Sequence, residues 1–163
     1  MTKRGDPAAR KEMNMTSAVN VRNASIPLWF WIAAGLGLAW NIFGVVQFLG
    51  SLSATTESLM ATGLTAEQAA VMLGYPSWMT IAFAVGVFGG LIGCLLLLLK
   101  KRISVLVFAV SLIGYVILYI GDITEGVFAA IGTSQVVILS MVVAIAAALM
   151  WLARYFDRRG ALS

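Results

Sequence analysis

The sequence predicts an all-α fold: an integral-membrane four-helix bundle, N-in/C-in, with a short external helix in the first loop. Three observations carry this reading. Of the 163 residues, 61% are hydrophobic and 11% charged, against roughly 45–50% and 25% in an ordinary soluble domain. The apolar residues fall into four blocks without a charged residue, 28–50, 77–99, 103–121 and 135–153. Each matches the roughly 17 to 25 residues that a helix needs to cross the bilayer core. Finally, all 11 Lys and Arg residues lie in three segments that an even number of spans puts on one side of the membrane.

Residues 1–27 are polar and basic, with no apolar period, and read as a disordered cytoplasmic tail in which Met13 and Met15 are alternative starts. The glycosylation-like patterns at Asn14 and Asn23 lie on this basic tail and carry no weight. The first apolar block is 23 residues long. A cleavable signal has an apolar region of about 7 to 15 residues, so this block reads as an uncleaved first span. Trp29 and Trp31 open it and suit an interface. One of its faces offers Ala34, Gly37, Asn41 and Gly44 to a neighbour. Trp40 and Asn41, near the middle, read as bulky filler and interhelical glue; the alternative is a midplane ligand pocket.

The loop 51–76 should contain a helix. Thr65 and Gln68 in "LTAEQAAVMLGYP" have the spacing of a capping box, while Gly74 and Pro76 stop the run. The second span carries two overlapping GxxxG pairs, Gly86 with Gly90 and Gly89 with Gly93, a pattern that lets helix backbones approach closely in lipid. Gly90→Leu is therefore expected to harm the fold much more than Leu97→Ala. Cys94 in the same span reads as a small packing residue.

The third span has the one polar stripe. Ser104, Ser111, Tyr115, Tyr119 and Asp122 lie on one face because their spacings follow the helical turn. With Trp40 and Asn41, the residues Ser111, Tyr115, Tyr119 and Asp122 form the candidate pocket. Asp122 itself lies about 29 Å along the helix from Ile103, at the edge of the bilayer core, and is expected to be a water-contacting interfacial carboxylate. The fourth span presents Ser140, Ala144, Ala147 and Ala148 and closes on Trp151 and Tyr155. The membrane domain thus covers 28–156, with a short cytoplasmic tail at 157–163.

Charge fixes the orientation. The loops opposite the basic segments carry Glu57, Glu67, Asp122 and Glu125 and no basic residue, so the basic side is expected in the cytoplasm. The basic collar suits anionic lipid headgroups, which makes the bilayer the partner and argues against nucleic acid. There is no histidine and only one cysteine, and no nucleophile with a base appears, so neither metal, cofactor nor catalytic site is expected.

The block "PSWMTIAFAVGVFGGLIGCLLLLLKKR", preceded by "LTAEQAA" and followed by "ISVLVFAVSL", resembles a group of small four-span bacterial inner-membrane proteins, over about 28–159. Some members of that group carry a sugar-transporter label, and the resemblance implies no particular site residues. Two functions follow as expectations. One is a non-enzymatic accessory or scaffolding subunit that packs as a homo-oligomer or in a larger membrane complex. The other is an oligomeric small-solute transporter with a site between spans one and three.

Overall fold

A computed structural model describes residues 26–163, and the expectations for the N-terminal tail fall outside them. The described residues form seven helices and no strand: α1 (Leu28–Leu52), α2 (Thr56–Ala61), α3 (Ala66–Leu73), α4 (Ser77–Leu98), α5 (Ser104–Thr124), α6 (Val127–Ile131) and α7 (Thr133–Arg158). Four of them, α1, α4, α5 and α7, are long and apolar enough to cross a membrane. Their outer surfaces are rich in exposed Leu, Ile, Val and Trp. Such a surface suits lipid contact and would be a liability in water.

Local chemistry sets the shorter elements. Thr65 and Gln68 form the reciprocal capping box read from the sequence, with Thr65 Oγ1 accepting from the Gln68 N–H at 3.2 Å. Thr55 and Ser58 make a second box that starts α2. Helix α6 is enclosed by Gly126 at φ +72° and Gly132 at φ +87°, conformations that glycine reaches without a Cβ penalty. The tight link between α4 and α5 closes through Lys100, at φ +57°. Its N–H donates to Leu97 O at 2.9 Å and that of Lys101 to Leu96 O at 2.8 Å. This pair of bonds is a Schellman ending.

Close packing centres on α4 and α5. From α4, a Cβ on Gly86 would meet the Tyr115 ring at 2.7 Å, one on Gly89 would meet Ser111 Cβ at 2.9 Å, and one on Gly93 would meet the Phe108 ring at 2.7 Å. From α5, a Cβ on Gly114 would stand 2.9 Å from both Ala82 O and Gly86 N, and one on Gly121 would strike Trp78 and Met79. Helix α1 leans on α4 through Gly44 against Val87, and Gly90 leaves the space that the Asn41 side chain fills. Helix α7 meets α1 through Gly37 against Leu149. It also does so where the Phe30 and Phe156 rings cross edge to face, 4.5 Å apart.

Leu97 departs from expectation. It was read as a mild site, yet it is fully buried in the cluster with Phe30, Cys94, Phe108 and Ala153. The "LLLLL" run gives no hydropathy contrast between core and lipid; the approach of α1 and α7 decides which leucine is enclosed. Substitution should separate these roles in detergent melts. Gly90→Leu is expected to prevent native folding, Leu97→Ala to cost about 2–5 kcal/mol by cavity formation, and Gly35→Ala, with open space around it, to stay within about 0.5 kcal/mol. Equal midpoints for all three would contradict the packing.

Candidate functional site

Four of the six candidate pocket residues come together. Trp40 and Asn41 from α1 and Ser111 and Tyr115 from α5 line one small cavity with Gly90, Ala146 and Leu149. Asn41 is 4% exposed and Ser111 1%. The Asn41 amide donates to Gly37 O at 2.8 Å, one turn back on its own helix, and weakly to the Cys94 sulfur at 3.6 Å. Ser111 donates to Gly86 O at 2.6 Å, an interhelical bond across the glycine seam. The cavity volume is about 10 Å³, which admits about one water. As it stands, this space cannot take a sugar.

The other two candidates lie elsewhere. Tyr119 is half-buried and its hydroxyl shares a hydrogen bond with Ser140 Oγ at 3.3 Å, while its ring stands edge to face with Phe128. Asp122 is nearer the end of the bundle and forms a second polar site of its own.

Asp122 overturns the expectation of a water-contacting carboxylate: its side chain is completely buried. Tyr75, in the segment just before α4, donates its hydroxyl to Asp122 Oδ1 at 3.1 Å. Gln135, in the first turn of α7, donates its amide to Oδ2 at 3.0 Å. Asp122 lies near the C-terminal end of α5, and the chain closes over that end. Helix α6 follows α5 directly with Val127 buried. Helix α3 is tied to it by Gln68 Nε2 donating to Ala130 O at 3.1 Å. The side chains that hold the carboxylate thus come from just before α4 and from the first turn of α7. It contacts no basic side chain among the described residues.

Tyr75 and Gln135 were not read as site residues. They stand 47 and 13 positions from Asp122 in the chain, and neither belongs to a spacing pattern. The clue available was that Gln135 is the polar residue opening an apolar span and that Tyr75 abuts a proline. Burial, and then the neighbouring Asp122, push the Tyr75 hydroxyl well above its ordinary range.

Among the described residues no three of His, Cys, Asp or Glu converge to hold a metal. Comparison with known protein families, with curated proteins and with solved structures finds no match.

The three-residue knot should report on stability. Tyr75→Phe leaves one Asp122 oxygen without its donor and is expected to cost about 1–3 kcal/mol, as is Gln135→Leu. The Tyr75 hydroxyl stays protonated in the fold to a higher pH than in the unfolded chain. Its contribution is then complete below about pH 10 and is lost as the pH rises beyond that. Melting curves from pH 7 to 11 should fall less steeply at the alkaline end for Tyr75→Phe than for the wild type. Parallel curves would mean that Tyr75 is not held as described.

Proposed function

We propose that the protein is a small non-enzymatic subunit of the bacterial inner membrane, both termini cytoplasmic, that serves as an accessory or scaffold by packing against itself or another membrane protein. One observation carries this reading. The glycines at positions 37, 44, 86, 89, 90 and 93 all face neighbouring residues within the bundle, whereas Ala144 and Ala148 of α7, one turn apart, remain exposed. In lipid, helices associate through small residues and interhelical hydrogen bonds, so a small-residue face left outside suits a further helix.

The polar groups inside support the same reading. The Ser111 hydroxyl, the Asn41 amide and the Asp122 carboxylate are engaged with other parts of the bundle, as befits a tightly built scaffold. A second reading, an oligomeric small-solute transporter with a site between α1 and α5, draws on the resemblance to the four-span group and on the burial of Asp122. An ionisable residue enclosed in a membrane domain is a functional candidate by default. For that reading the cavity would have to widen well beyond one water.

Three measurements test the proposal. Mass in mild detergent is expected to exceed one chain of 17.4 kDa plus its micelle, and Ala144→Leu with Ala148→Leu should return it to one chain, while Ile138→Leu changes nothing. A wild type that is monomeric in both detergent and bilayer discs would remove self-association. Solute flux in proteoliposomes that Asp122→Asn abolishes in a folded protein would put the transporter reading first. Reporter fusions at Ser163 and near Thr62 should report opposite sides, with Ser163 cytoplasmic.

A further inference from the structure

Among the described residues, Lys100, Lys101, Arg102, Arg154, Arg158 and Arg159 share the basic end of the bundle with one acidic side chain, Asp157. Arg102 takes that carboxylate, Nε to Oδ1 at 2.8 Å. No acidic side chain among the described residues pairs with the other five.

Of those five, Arg159 stands on a built surface. Its Cζ lies 4.2 Å from the centre of the Tyr155 ring, and the Trp151 ring stacks on the same tyrosine, 5.3 Å away and tilted by 22°. Residues four apart share a helix face, so Trp151, Tyr155 and Arg159 run as a column along the last turns of α7. Helix α1 adds Trp29, its ring 6.3 Å from Tyr155 and 5.2 Å from Phe156. The column and Trp29 frame one edge of the seam between α1 and α7, and both indoles are exposed. Lys100 lies instead over Trp31, 5.4 Å from the ring centre, while Arg154 and Arg158 rest on no ring among the described residues.

Stacking restrains the guanidinium and leaves its N–H donors, which project from the edge of the plane, available to a ligand. Such a fork matches two oxygens of a phosphate. Trp151, two turns earlier in α7, lies deeper in the bilayer and offers apolar surface to an acyl chain. The occupied ring narrows the choice of headgroup. An aromatic cluster can hold a quaternary ammonium, but the Tyr155 face already carries the Arg159 charge, which would repel choline. A soluble phosphate would use Arg159 and leave Trp29 and Trp151 without a partner. A phospholipid of net negative charge engages both the cation and the rings.

We propose that Arg159, held on Tyr155 and flanked by Trp29 and Trp151, forms a binding site for one anionic phospholipid, with the phosphate on the guanidinium and an acyl chain along Trp151. A diffuse basic collar attracts such lipids without seating any of them; a stacked guanidinium above an aromatic column seats one at the α1–α7 seam. The inference goes beyond the accessory reading and does not depend on it.

Native mass spectrometry of the full chain in mild detergent, titrated with phosphatidylglycerol, reads lipid retention and chain association together. One phosphatidylglycerol is expected to stay bound where phosphatidylcholine does not, and inorganic phosphate should fail to displace it. Arg159→Ala should weaken retention by about fivefold or more, and Arg159→Lys, which keeps the charge and loses the planar stack, by less. Arg154→Ala removes the same charge away from any ring and should change retention by less than about twofold. Both arginines are exposed, so both alanine variants are expected to fold. Tyr155→Phe keeps the ring and should keep the lipid. Equal losses for Arg154→Ala and Arg159→Ala would overturn the site in favour of a diffuse collar. Equal retention of the two lipids, displacement by inorganic phosphate, or an Arg159→Ala effect on chain association with lipid retention unchanged would overturn it as well.

Discussion

The contact between Gly114 on α5 and the α4 backbone at Ala82 and Gly86 sets the distance on which the rest of the bundle depends. Ideal Cβ placement there leaves 2.9 Å to a carbonyl oxygen and to a backbone nitrogen, and neither atom can move aside as a flexible side chain would. Only glycine permits the two backbones to lie so near. Their closeness brings Ser111 within reach of Gly86 O and presses Tyr115, Phe108 and Ser111 onto the α4 glycines. A lipid-exposed bundle gains little from apolar burial between helices, since the tails outside are as apolar as the side chains within. Dispersion at close range and one short hydrogen bond take over the role that hydrophobicity has in water.

Polar residues then divide by position along that seam. In the middle, Asn41 and Ser111 bond chiefly to backbone carbonyls, on their own helix and across the interface. At the far end the pattern changes, because side chains meet side chains: Tyr75 and Gln135 converge on Asp122. At the basic end the chain closes with backbone bonds, Ser163 N–H to Lys100 O at 2.7 Å and Arg102 N–H to Ser163 O at 3.0 Å. The Arg102–Asp157 pair there, 2.8 Å apart but with Arg102 75% exposed, adds little by comparison.

Much of this architecture is legible in the amino-acid order. The four spans follow from uninterrupted apolar runs, and the capping box of α3 from two residues three apart. The glycines of α4 could be placed on one face by period alone. Gly114 and Gly121 were not singled out, because they stand seven apart among Leu, Ile and Tyr and lack the four-residue spacing. Short α2 and α6 escaped notice as well, as each makes little more than one turn. The sharpest miss was Asp122. Counting rise per residue locates a side chain along the membrane normal but says nothing about what folds over it, and its burial comes from Tyr75, α6 and α7, all distant or irregular in the chain.

That miss alters how charge should be weighed in a small membrane protein. A carboxylate at the end of a span has two environments at the same depth, water or the side chains of neighbouring segments, and they differ in coordination while sharing a level. Here the second holds. Two neutral donors, the Tyr75 hydroxyl and the Gln135 amide, hold the group, and among the described residues no basic side chain pairs with it. Among the described residues the far end carries only acidic charges, at Glu57, Glu67, Asp122 and Glu125. An arginine there would reduce the charge asymmetry between the two ends of the bundle. A phenol and an amide bond to the buried group without adding a positive residue to that side. Asp122, held without a basic partner among the described residues, thus keeps with the one-sided distribution of Lys and Arg.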